Sequence, residues 1–144
     1  MTSKILYHGS GKLISSKYVK VSKPSDNSQD ENCSLGVYAT DRKDIAIGMS
    51  LTTEKYTKSF GDYSKKPFKT VFVRGKPKQK FVYIYKVSSK YFIENPKGSH
   101  QWISNKDVLI LNKEKFLVSE LNEFWRKATS NEKKWYYSIK NCKK

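Results

Sequence analysis

The chain is expected to fold as one α+β domain, rich in strands through its middle and helical near its end. Three observations predict this. Segments 68–74 (FKTVFVR) and 80–87 (KFVYIYKV) are β-branched and aromatic runs with strand-like alternation. Segments 42–51 and 119–139 instead place apolar residues at helical spacing. The length, 144 residues, suits one domain with its own core.

The elements follow in order. Residues 5–7 form a short buried strand, ended by a turn at 8–11. Residues 18–21 alternate as a second short strand. The stretch 24–34 (PSDNSQDENCS) is polar and dense in turn formers, a surface loop. Residues 35–39 are strand-like, and Asp41 is placed to cap a helix over 42–51 with Ile45, Ala46 and Met49 on one face. Polar residues with Gly61 make 52–66 a flexible loop. The two strong strands then pair as a hairpin across Gly75-Lys76-Pro77-Lys78. Pro96-Lys97-Gly98-Ser99 forms another turn. Residues 108–111 and 115–118 are two further short strands. From 119 the period becomes helical, with Leu121, Phe124, Trp125 and Ala128 on one piece and Trp135, Tyr136 and Ile139 on a second over 132–139. No repeat divides the chain.

The net charge is +16, so the protein is drawn toward polyanions: DNA, RNA or an acidic protein. An aromatic share of 14% is too high for a disordered chain despite that charge. The basic tail, 119–144, interleaves Trp125, Trp135, Tyr136 and Tyr137 with Arg126, Lys127, Lys133, Lys134, Lys140, Lys143 and Lys144. Lysines that grip phosphate and aromatics that stack on bases suit single-stranded nucleic acid. Helical spacing points the aromatics to the core instead, leaving the lysines to steer a target.

Several classes are set aside. Cys33 and Cys142 have no metal-type spacing, and with only His8 and His100 beside them a zinc site is not expected. Free thiols suit a reducing cytosol. No apolar run approaches the ~18 residues of a membrane span, and no signal-peptide core precedes His8, so a soluble cytoplasmic protein is expected. Gly9-Ser10-Gly11-Lys12 fails as a phosphate loop, since Leu6 and Leu13 stand where glycine and a Ser/Thr are needed. No Gly-x-Ser-x-Gly elbow marks a serine hydrolase.

The segments that carry chemistry are Leu6-Tyr7-His8-Gly9-Ser10 and Gly36-Val37-Tyr38-Ala39-Thr40-Asp41. A small turn after a strand exposes backbone donors and acceptors, Gly9 allows close approach, and His8 and Ser10 offer polar side chains to a sugar. Taken with the helix carrying Ala46, this order resembles the catalytic domain of ADP-ribosyltransferases of the diphtheria-toxin-like, poly(ADP-ribose)-polymerase type. The resemblance covers about residues 4–118. It implies split, curved antiparallel sheets forming a cleft, and NAD as co-substrate. It implies that Gly9 holds the nicotinamide carboxamide through its backbone with Ser10 in support, that His8 binds the adenine-ribose 2′-hydroxyl, that Tyr38 stacks on nicotinamide, and that Ala46 faces the ligand.

The family's third position is a glutamate on a later strand. Here the corresponding segment is Gln101-Trp102-Ile103-Ser104, with glutamine in that place. An amide can orient the ribose but brings no negative charge to the developing oxocarbenium ion, a loss of about 3 kcal/mol. The chain is thus expected to be a slow mono-transferase, to use Glu94 or Glu114 as its acid, or to bind the nucleotide without turnover. Two other functions stay open. An RNA 2′-phosphotransferase acting with NAD would share the scaffold, and a catalytically silent nucleic-acid or protein-binding module would be indifferent to NAD.

Overall fold

The computed structural model describes residues 4–21, 36–52, 57–64 and 66–139. The loop expected at 24–34, both cysteines and the last five residues of the tail lie outside them. The fold is α+β, with mostly antiparallel sheets and two helices. Its elements are β1 (Ile5–Ser10), β2 (Tyr18–Val19), β3 (Val37–Thr40), α1 (Lys43–Ser50), β4 (Lys58–Asp62), β5 (Lys69–Arg74), β6 (Phe81–Ser88), β7 (Phe92–Glu94), β8 (Gln101–Ser104), β9 (Val108–Leu117), β10 (Trp125–Lys127) and α2 (Ser130–Ser138).

Seven strands form the main sheet in the order β2-β9-β6-β1-β3-β8-β7, and β10-β5-β4 form a smaller one. The core lies on both faces of the main sheet. Leu6, Val37, Ala39, Val87, Phe92 and Val108 pack on one face. On the other, α1 and the small sheet bring Ala46, Ile47, Leu51 and Phe72 against Val82, Ile84 and Leu121.

Several expectations are corrected. The two strong strands do not form a hairpin: β5 is the middle strand of the small sheet, whereas β6 lies between β9 and β1 in the main one. Gly75, at φ 79, opens the crossover between the sheets. Thr70, Val71, Phe72 and Val73 are all buried, because β5 is covered on both faces. The segment expected as flexible loop contains β4, paired to β5 from Lys58↔Arg74 to Asp62↔Lys69. Its Lys, Ser and Gly have poor strand propensity, and packing overrides it: Gly61 leaves room for the Phe68 ring, 2.7 Å from where a Cβ would stand.

The short strands expected at 108–111 and 115–118 are one strand, β9. Opposite β6 its register moves from Val87↔Ile110 to Lys86↔Asn112, so Leu111 is an extra residue that re-aims the side chains beyond it. The first strand does not stop at Tyr7, since His8, Gly9 and Ser10 continue β1 and pair with Tyr85, Ile84 and Tyr83. The turn at 96–99 forms, with the Ser99 N–H donating to the Pro96 carbonyl at 3.0 Å.

The tail is less helical than its periodicity predicts. Val118–Glu120 and Asn122–Phe124 are 3-10 turns, and Trp125–Lys127 is a strand parallel to β5. Leu121 and Trp125 still reach the core, because consecutive 3-10 turns also return side chains to one side. Only the second expected helix exists, α2, begun by a capping box between Thr129 and Glu132. Of its aromatics Tyr136 is buried against Phe60, while Trp135 and Tyr137 are 49% and 61% exposed.

Arg126 fixes this segment by two bonds of 2.8 Å to the Glu132 carboxylate and one of 3.3 Å to Asp62. The Arg126 bonds, with the Thr129 N–H, hold Glu132 down at about 2, against 4.5 when free. That stabilisation is present above 4.5 and is lost as pH falls from 4.5 toward 2. The protection of the α2 amides, taken relative to their intrinsic exchange rate at each pH, is therefore expected to fall in that window, and to lose this pH step in Glu132→Gln.

Candidate functional site

The strands carrying His8, Tyr38 and Gln101 are consecutive neighbours β1, β3 and β8. β3 and β8 pair along their whole length, Val37↔Ser104 through Thr40↔Gln101. β1 and β3 share one ladder pair, Tyr7↔Thr40. Beyond it β1 pairs with β6 as far as Ser10, and among the described residues no further ladder pair joins it to β3.

His8 sits at the end of that ladder. Its Nδ1 lies 2.6 Å from the Tyr38 carbonyl, taking the place of the next ladder bond. A carbonyl only accepts, so Nδ1 carries the proton, and Nε2 of the neutral ring keeps a lone pair. The imidazole can thus accept from a sugar hydroxyl, rather than donate to one as a free histidine could. Burial pushes His8 below the ordinary 6.5, outweighing the opposite pull of the Tyr38 carbonyl. The unfolded chain therefore takes up this proton first, and stability is expected to fall as pH drops below 6.5. The slope is at most ~1.4 kcal/mol per pH unit. Urea denaturation between pH 7 and 5 reads it, and His8→Gln should remove it.

Gly9 and Ala46 meet where α1 crosses β1. A Cβ on Gly9 would stand 2.1 Å from the Ala46 carbonyl oxygen and 3.0 Å from the Ser50 Cβ. The missing side chain therefore admits α1. Ala46 is 2% exposed and packs onto β1 and the core. Asp41 does not cap α1, whose N-cap residue is Arg42. In the first turn Asp44 accepts from Arg42 and from the Ile45 and Phe68 N–H groups instead. The Ser10 hydroxyl accepts from the Lys12 N–H at 3.1 Å, which leaves its own proton free to donate.

Cross-strand partners share a face. Tyr7, Thr40 and Gln101 are linked in this way, and Tyr38 lies on the same face opposite Ile103. Tyr7 packs with the α1-side cluster, so Tyr38 and Gln101 belong to the α1 side. His8, two residues from Leu6 and beside Tyr85, belongs to the other side. His8 and Tyr38 are thus joined through a backbone carbonyl, and Gln101 is not beside His8. The Gln101 Nε2 donates to the Asn95 carbonyl at 3.1 Å, bracing the turn between β7 and β8. Burial pushes the Tyr38 hydroxyl up, so it stays protonated at neutral pH.

The alternative acids lie elsewhere. Glu114 pairs with Lys43 at 2.6 Å and ties β9 to the start of α1. Glu94 accepts from the His100 N–H at 3.1 Å. It belongs to a constellation that spacing did not suggest: Asp41, Glu94 and His100 place one donor atom each within 4.8 Å of one another. His100 Nδ1 meets Asp41 Oδ1 at 2.8 Å, and the Trp102 indole donates to the other Asp41 oxygen at 3.3 Å. His100 holds φ 67, a conformation a non-glycine residue adopts at a cost. Two carboxylates and an imidazole are a donor set of the kind that can hold a divalent cation. Asp41 and His100 are 59 positions apart, so only the pairing of β3 with β8 reveals the contact.

Comparison with protein families, with curated proteins and with solved structures returns no match.

Proposed function

We propose that this chain binds NAD and acts as a mono-ADP-ribosyltransferase, passing ADP-ribose to a polyanionic acceptor, DNA, RNA or an acidic protein. The observation that supports this best is that the two motif residues meet on adjacent strands, the His8 ring held as the neutral tautomer by the Tyr38 carbonyl. A dinucleotide that reaches His8 on one face and Tyr38 with Gln101 on the other has to part the bond between His8 and the Tyr38 carbonyl. In this reading His8 Nε2 accepts from the adenine-ribose 2′-hydroxyl, the Gly9 backbone and Ser10 hold the carboxamide, and Tyr38 stacks on the pyridinium. The nicotinamide–ribose bond breaks, nicotinamide leaves with the bonding pair, and the acceptor's nucleophile closes on the ribose carbon and gives up its proton.

Gln101 sets the rate in this account. It can orient the nicotinamide ribose but supplies no charge, so Gln101→Glu is expected to raise nicotinamide release about a hundredfold. The variant also gives up the bond to Asn95, so its fold is checked by circular dichroism. Incubation with labelled NAD and mixed protein and nucleic-acid acceptors tests the activity itself. Label on an acceptor, lost in His8→Ala and Tyr38→Ala, is the expected result. Neither transfer nor nicotinamide release, from wild type and Gln101→Glu alike, contradicts it.

A further inference from the structure

The residues that best suit a polyanion lie on the main sheet rather than in the tail. In the β6–β9 ribbon the cross-strand pairs Phe81↔Leu117, Tyr83↔Lys115 and Tyr85↔Lys113 share the face opposite α1. Along β6 the three aromatics are spaced by two residues, about 6.6 Å per step. Tyr83 and Tyr85 stack with centroids 6.5 Å apart, and Tyr85 lies 6.3 Å from the His8 ring. Phe81 and Tyr83 are half-buried, while Lys80, Lys113 and Lys115 are exposed. Lys115 Nζ stands 4.0 Å from the Phe81 ring centroid and Lys80 Nζ 5.6 Å.

No acid balances this face from within the two strands. Their one carboxylate, Glu114, pairs opposite Ile84 on the α1 side and is bound to Lys43. Among the described residues Lys80, Lys113 and Lys115 make no ion pair. In the tail, by contrast, Arg126 is neutralised by Glu132 and Asp62, Tyr136 is buried, and the exposed rings of Trp135 and Tyr137 stand edge-on to Phe60 and Tyr136 rather than in a stacked row.

We propose that the face of Phe81, Tyr83, Lys80, Lys113 and Lys115 is a docking platform for single-stranded nucleic acid, bounded at one end by Tyr85, which is buried under the chain at Lys12 and Ile14. Aromatic rings give each base a stacking partner, and the lysines beside them take the phosphates. An acidic peptide would use the lysines and leave the rings idle, and a duplex keeps its bases stacked on one another. Taking this strand as the ADP-ribose acceptor rests on the function proposed above; the docking itself does not.

Anisotropy of a labelled single-stranded oligonucleotide, titrated with the full chain across a salt series and without NAD, tests it. Tyr83→Leu and Phe81→Leu are each expected to weaken binding about tenfold while sparing heparin binding. Lys113→Ala with Lys115→Ala should weaken both and reduce the salt slope by about 1.4. Lys133→Ala with Lys134→Ala in α2 should leave affinity unchanged. The titration contains no NAD, so failure of the NAD reading stays separate from failure of this one. No binding by wild type, equal binding by the folded leucine variants, or loss confined to the α2 variants would overturn the platform.

Discussion

Gly9→Ala is expected to lose about 3 kcal/mol of stability, at the upper end for overpacking, because the added methyl meets backbone rather than a mobile side chain. The Ala46 carbonyl would lie 2.1 Å from it, so α1 must lift from β1 or β1 must shift. Urea denaturation followed by circular dichroism measures the loss. The test separates two accounts of this glycine. If it only clears space for a ligand, the variant folds with wild-type stability and loses binding alone. If it seats α1, stability falls even with no ligand present, and Gly9→Val falls further.

Phe72→Ala is expected to cost about 3–5 kcal/mol, the range for emptying a large aromatic site in a core. Phe72 is fully buried, packs with Ala46, Ile47 and Leu51, and meets the Trp125 ring edge-on at 5.6 Å. It stands where the small sheet meets α1 and the main sheet, so little can collapse into the space it leaves. Its loss should also loosen Trp125 and the strand pairing of β10 with β5. Denaturant melts give the energy, and amide exchange along 125–127 reports the pairing. A cost under ~1 kcal/mol would show that the two sheets do not depend on this contact.

Local patterns carried much of the fold. The strands at β1, β3, β5 and β6 and the helix α1 stand close to where composition and period put them, because each buries a face on its own scale of repeat. What escaped were decisions made at long range. Whether β5 and β6 pair with each other is settled by covering β5 on both faces, and nothing within Gly75–Lys80 records that. β4 is polar and glycine-bearing, and becomes a strand only because Phe68 needs the room at Gly61. Leu121, Phe124 and Trp125 show a helical period that two 3-10 turns and a strand satisfy equally well.

The candidate site divides in the same way. His8 and Tyr38 could be singled out by their motifs, and a direct bond joins them. The motif did not reveal that the neighbouring glycine serves packing, that Ala46 turns inward, or that Gln101 lies across the sheet from His8. The Asp41–His100 pair had no local signal at all. Side-chain facing depends on register, and register is set by strands far apart in sequence.

The central claim is that the site of His8 and Tyr38 receives NAD, and calorimetric titration of the folded chain with NAD tests it most directly. The account predicts saturable one-to-one binding in wild type, lost in His8→Ala and in Tyr38→Ala while both variants keep a cooperative melt. A folded wild-type chain that takes up no NAD, or binding that survives both substitutions unchanged, would contradict it.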